Sequence, residues 1–228
     1  MLGVFVNVTT VIIGSLIGLI IKKGIPERLT SAVMIGIGMC NICMGVQGMM
    51  DGKNILILIG ATVIGAIIGT LADIDGKINK LGDSVSKKFK STGKTSIAEG
   101  FINGSLVFCV GAMTINGSLN AGITGDNSLL YTKATLDLFS SSMLAASLGI
   151  GVMFAAAFVL GFQGLLVLLA GFLAPVLTES AIAEMTCAGS LIIIAIGTNV
   201  IGITKIKVAD YLPAIALAPL FCWIIGFF

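Results

Sequence analysis

Histidine is absent from the 228-residue chain, which removes the commonest metal ligand and the side chain that most often moves protons near neutral pH. Charge is scarce as well: 11% of the residues are Asp, Glu, Lys or Arg, against roughly a quarter in a soluble domain. A soluble fold of this length has no interior large enough for a chain that is 57% hydrophobic, whereas bilayer hydrocarbon takes up Leu, Ile, Val and Phe over long runs. Neither a G-x-x-x-x-G-K-[ST] loop nor a G-x-G-x-x-G turn between strand and helix occurs, so nothing in the chain points to nucleotide-driven work. No basic stretch precedes the first apolar run, which reads as a retained span and not as a cleaved leader.

The five cysteines, Cys40, Cys43, Cys109, Cys187 and Cys222, lie within or beside apolar runs and fit neither a disulfide framework nor a zinc site. Cys40 and Cys43 form a C-x-x-C in mid-helix and read as small packing residues. Redox chemistry there would need access and a stabilised thiolate. No metal, cofactor or nucleic-acid partner is expected.

What is present is glycine, thirty in all, and long continuous apolar runs. Small residues let membrane helices approach closely, and runs of roughly twenty residues exclude the ten-residue alternation of an outer-membrane barrel. The expected fold is therefore an all-α, polytopic transmembrane helix bundle, a single domain over 1–228. Hydropathy places about eight segments, at 2–21, 30–50, 54–72, 98–115, 137–160, 164–178, 187–204 and 209–228. The sixth is short for a full span, which leaves it tilted, broken or continuous with the fifth through a turn at Gly161–Gly164.

Eleven of the thirteen basic residues fall in three loops: Lys22, Lys23 and Arg28; Lys77, Lys80, Lys87, Lys88, Lys90 and Lys94; Lys205 and Lys207. With eight spans these loops share one face. The positive-inside rule makes that face cytoplasmic and puts both termini outside, in the cell membrane. Residues 76–94 place Ile78, Leu81, Val85 and Phe89 at helical spacing among lysines, as in an amphipathic connector lying on an anionic leaflet; a plain solvated connector is the simpler alternative.

The sequence also points to an internal duplication, against the simpler alternative that any two apolar helices share Gly, Ile and Leu by chance. GSLIGLIIKKGIPERLTSAVMIGIG from Gly14 lies over GFLAPVLTESAIAEMTCAGSLIIIAIG from Gly171, with Glu27 on Glu184 and, after a two-residue slip, Gly38 on Gly197. A fainter echo sets Glu99, Phe101, Asn103 and Gly111 38 residues ahead of Asp137, Phe139, Ser141 and Gly149. The halves, 1–115 and 137–228, then run in opposite directions, the inverted plan of many secondary transporters, whose sites sit between the copies on interrupted helices.

The most polar apolar stretch, Glu99–Leu130, carries Asn103, Ser105, Thr114, Asn116, Ser118 and Asn120. In hydrocarbon each such group needs a partner, so these face protein, water or solute. Glycines 111, 117, 122 and 125 would let the backbone unwind and present ligands; equally they and the asparagines would make turns in a re-entrant loop. Lys133 and Asp137 stand four apart as a helix-face ion pair at a membrane boundary, with Ser141 leading inward as a cation or proton route or as plain helix packing. Asn41 and Asn199 lie at similar depth in the two copies.

SLVFCVGAMTINGSLNAGITGDNSLLYTKATLDLFSSSMLAASLGIGV, IAIGTNVIGITKIKVADYLPAIALAP and the opening MLGVFVNVTTVIIGSLIGLIIKKGIPERL resemble the domain of unknown function 554 family of bacterial membrane proteins, over essentially the whole chain. The resemblance implies an integral membrane protein, often taken as a transporter, and no agreed substrate or catalytic residues. The expectation is a gradient-driven carrier of a small solute or ion, partnered by the lipid bilayer and open to forming a homo-oligomer. The alternatives are an oligomeric ion channel or a scaffold with no transported substrate. Cys109 or Ser105 with Glu99 is the nearest approach to an enzymatic set, and without histidine no enzyme is expected.

Overall fold

The computed structural model describes residues 1–22, 27–80 and 97–225, and among these every regular element is helical. In order they are α1 (Leu2–Lys22), α2 (Glu27–Met49), α3 (Ile55–Leu71), α4 (Ile74–Lys80), α5 (Ile97–Cys109), α6 (Ala112–Ile123), α7 (Ser128–Leu148), α8 (Gly151–Leu168), α9 (Ala170–Leu173), α10 (Glu179–Ile201) and α11 (Pro213–Ile225), with a 3₁₀ turn at Val208–Tyr211. Helix starts follow ordinary capping chemistry. The Asn54 side chain accepts from Leu56 N ahead of α3, and the Thr178 hydroxyl accepts from Ala181 N ahead of α10. Ahead of α7, the Ser128 N–H donates to Asp126 at 2.9 Å and holds that carboxyl below its ordinary range.

Among the described residues three helices, α1, α8 and α10, are each long and apolar enough to cross a bilayer. Two bent pairs pass the same test as units: α3 with α4, bent by 52°, and α5 with α6, bent by 60°. The second bend falls at Gly111, whose φ of 154° suits a residue without Cβ. Large apolar side chains such as Ile20, Met50, Leu71, Phe139 and Phe172 point outward. A surface this apolar fits a membrane location.

Glycines and other small residues decide which helices touch. Gly3 meets Leu130, Gly14 meets Ser141 and Gly18 meets Ser142, so α1 and α7 run parallel along a close seam. The same advance, Gly100 against Gly151 and Gly104 against Ala155, makes α5 and α8 parallel. In the other two seams the numbers run oppositely. Gly45 meets Ser190 and Ile194 while Gly38 meets Gly197 and Ile201, and Gly65 meets Ala214 while Gly69 meets Asp210, so α2–α10 and α3–α11 are antiparallel. At the α2–α10 crossing, Gly38 and Gly197 lie against each other's backbone carbonyls. The central cluster of Val11, Ile37, Phe108, Leu144, Leu148, Val152 and Val159 joins α1, α2, α5, α7 and α8.

Several expectations need correction. The chain does not turn at Gly161–Gly164; α8 runs through them, and the break lies at Gly149–Ile150, where Gly149 takes φ 81°. The segments expected at 137–160 and 164–178 are instead α7 and α8, because apolar runs on either side of a two-residue break give no hydropathy dip. Gly171, laid over Gly14, sits in the four-residue α9. Gly117 and Gly122 do not unwind α6: they are helical, and give Leu130 and Val167 room to approach. Cys40 and Cys43 are exposed on α2 and do not pack its seam, which runs along Gly38 and Gly45. Of the connector expected over 76–94, residues 81–94 lie outside the described residues. Its first part is α4, whose Ile78 packs on the Ile192, Ile196 and Val208 cluster of the protein.

Candidate functional site

The polar residues singled out by the sequence separate into three places. Glu99 and Asn103 of α5 line a cavity of about 140 Å³ together with Asn199 of α10 and with Asp75 and Asn79 of α4. Ile206 and Val208 close it from the loop that follows α10. Asn199 is consumed in shaping that loop: its Oδ1 accepts from Ile206 N at 2.9 Å and Thr204 Oγ1 at 2.7 Å, and its Nδ2 donates to Ile206 O at 2.7 Å. Asp75 is also committed, since its backbone N–H donates to Asp210 Oδ1 at 2.9 Å and its Oδ2 accepts from Asn79 Nδ2 at 2.9 Å. The Glu99 carboxylate makes no hydrogen bond or ion pair among the described residues. At the inner end, Asn103 is 1% exposed, and its Oδ1 accepts from Asn41 Nδ2 at 3.2 Å. Asn41 lies one turn beyond the Gly38–Gly197 crossing, so this hydrogen bond ties the lining residue Asn103 to α2 beside the place where α2 and α10 cross.

The second place is the α1–α7 seam. Lys133 Nζ lies 2.9 Å from both Asp137 oxygens, with the two residues 7% and 4% exposed. Asn7 of α1 is fully buried within reach of the carboxylate, although neither of its amide atoms attains hydrogen-bond geometry. Ser141 donates back to Leu138 O at 3.1 Å and rests against Gly14, which makes it packing in this seam.

The third group is scattered along α5 and α6. Thr114 donates to Phe108 O at 3.1 Å across the bend. Among the described residues Ser118 is buried without a partner, and Ser105, also unpartnered there, faces an apolar cavity of about 390 Å³ walled by Phe101, Phe158, Phe162 and Met185. Asn116 and Asn120 are exposed, one helical turn apart on α6, and do not join the cavity. The structure thus unites Glu99, Asn103, Asn41 and Asn199, and separates them from Lys133 and Asp137.

Sequence reasoning missed Asp75 and Asn79, which lay in or beside a stretch read as a connector; their i, i+4 spacing was the available signal. It also missed Glu184 as a structural carboxylate. At 1% exposure, Glu184 Oε1 accepts from Lys53 N at 2.8 Å and Asn54 N at 2.7 Å, tying α10 to the start of α3. Glu184→Ala should lower stability by about 1–3 kcal/mol, the cost of stranding buried donors, and Glu184→Gln by less, because one acceptor oxygen survives. Denaturant unfolding in detergent checks the order; equal stability of Glu184→Ala and the parent would refute it. No group of three or more His, Cys, Asp or Glu side chains positioned to hold a metal occurs among the described residues.

A family model described as a protein of unknown function (DUF554) matches residues 2–223. The chain is 30% identical over 232 residues to the uncharacterized membrane protein YdfK of Bacillus subtilis, covering 100% of this chain and 98% of that one. It is 29% identical over 221 residues to the uncharacterized protein YqgA of Escherichia coli, covering 95% and 94% respectively. No solved structure matches it.

Proposed function

This chain belongs to the DUF554 family of proteins of unknown function, and from that premise we propose that it is a membrane carrier of a small solute or ion, driven by a gradient through alternating access between inverted halves. The observation that carries the reading is the polar cavity beside the α2–α10 crossing, in which the Glu99 carboxylate has no partner among the described residues. A charge in such a place is costly unless a ligand or water meets it, which makes it a binding group by default.

The helix pairing supports the inverted halves. If α1, α2, α3 and α5 correspond to α8, α10, α11 and α7, the parallel seam α1–α7 answers to α8–α5. The antiparallel seams α2–α10 and α3–α11 then each pair an element with its own counterpart. Gly38 and Gly197, superposed in the sequence, meet where a two-fold axis in the membrane plane would pass. In this reading both bent helix pairs count as interrupted spans and eight segments cross the cell membrane. Lys77, Lys80, Lys205 and Lys207 mark the cytoplasmic face, the cavity opens on that side, and both termini lie outside. The bilayer and a small solute are the partners, with no enzymatic step. The exposed Asn116 and Asn120 favour a second reading, a channel built from several copies around α6.

The test is side-specific labelling. In a background with the five cysteines replaced, Glu99→Cys in oriented vesicles should react with an impermeant thiol reagent from both faces, with proportions that shift when a solute gradient is imposed. Reaction from one face under every gradient would overturn the carrier reading.

A further inference from the structure

The two halves treat corresponding carboxylates differently, and the difference identifies a ligand class. Asp137, 38 residues after Glu99, holds the Lys133 ammonium at 2.9 Å from both its oxygens in a buried seam. The residue 38 positions before Lys133 is Thr95, so the sequence brings no lysine to the same register in the other half. There, among the described residues, Glu99 stands unpartnered in a cavity whose lining holds a second carboxylate, Asp75, and no lysine or arginine.

We propose that the Glu99 cavity takes a small ammonium-type monovalent cation, which occupies in this half the place that the Lys133 side chain fills in the other. The proposal rests on the carrier reading and its inverted halves, and names the class of the carried solute. Size allows it: about 140 Å³ is many times what one water needs, leaving room for an ammonium group with part of its hydration. Charge selects it, because two carboxylates with no basic side chain in the described lining repel anions and favour cations. Valence follows from the ligand count: the lining brings two carboxylates, one of them sharing an oxygen with Asn79, and no third acidic, Cys or His ligand joins them for a divalent ion among the described residues. Asn103 adds a directional contact. One of its amide atoms is held by Asn41, and its other amide atom makes no hydrogen bond among the described residues. Exchanging the amide orientation of both asparagines preserves their hydrogen bond and turns the Asn103 oxygen to the cavity, where it accepts from an ammonium N–H.

The experiment measures equilibrium binding of ammonium and methylammonium by calorimetry to the full chain in nanodiscs, with ionic strength held constant by a bulky organic salt. Sodium and potassium are run as separate arms. Saturable ammonium binding is expected, weakened at least tenfold in Glu99→Gln, partly restored in Glu99→Asp and unchanged in Lys94→Ala. Matched thermal unfolding of the variants excludes loss of fold, and Glu99→Asp keeps a charged probe of the site if Glu99→Gln unfolds. No saturable binding, binding unaltered in Glu99→Gln, potassium binding as tight as ammonium, or binding that appears only in Lys94→Ala would each overturn the assignment. Because no flux is measured, two-sided labelling without ammonium binding would sink the ligand class alone. Ammonium binding with one-sided labelling would sink the carrier alone.

Discussion

Replacing Lys133 by Met should destabilise the protein by about 3–5 kcal/mol, the cost of leaving one member of a buried ion pair without its partner. The ammonium lies 2.9 Å from both Asp137 oxygens, and neither residue is more than 7% exposed. Around them are the α1–α7 seam and the Asn7 amide, which has no geometry to replace the lost contacts. The pair itself adds little net stability over an apolar pair of the same shape, since two desolvated charges offset most of their mutual attraction. Lys133→Met combined with Asp137→Leu should therefore recover most of the loss. Unfolding of both variants in nanodiscs decides the matter: a single variant within 1 kcal/mol of the parent, or a double variant worse than the single, contradicts a buried, mutually compensating pair.

Gly18→Ile should cost about 2–3 kcal/mol or prevent folding, by forcing α1 and α7 apart. A Cβ at Gly18 would run into the Ser142 carbonyl oxygen, and Ala146 N lies 2.8 Å from the same point. Both are backbone atoms of a helix, so neither can swing away as a side chain would. The matching control is Gly36→Ala, where a Cβ meets nothing within 4 Å. That change should be neutral or stabilise by up to about 1 kcal/mol, because alanine loses less backbone entropy in a helix. If both variants unfold at the same denaturant concentration, small-residue packing is not what holds α1 against α7.

These seams also explain which parts of the fold were legible. Apolar runs identify helices because hydrocarbon and protein interior both exclude unpaired backbone, and helices satisfy it within the segment. The same uniformity hides boundaries. α7 and α8 are separated by Gly149 and Ile150 alone, and nothing in hydropathy distinguishes that break from the glycines inside α8 at 161 and 164. The Lys133–Asp137 pair was readable because it is local, four residues apart on one helix. The Glu99 cavity was readable only in part. Asn103 and Asn41 are 62 residues apart, and Asp75 enters through α4, from a stretch whose lysines suggested a surface connector.

The sequence by itself determined that this chain is an all-helical protein of apolar helices, without histidine and rich in glycine. It could do so because composition and periodicity are properties of each segment alone. Only the tertiary structure decided that Glu99 and Asn103 share a cavity with Asp75 and Asn79, that Asn116 and Asn120 face outward, and that Asp137 lies in a separate seam. An apolar helix has no preferred face until small residues on a distant partner admit its backbone, and that choice fixes which polar groups meet.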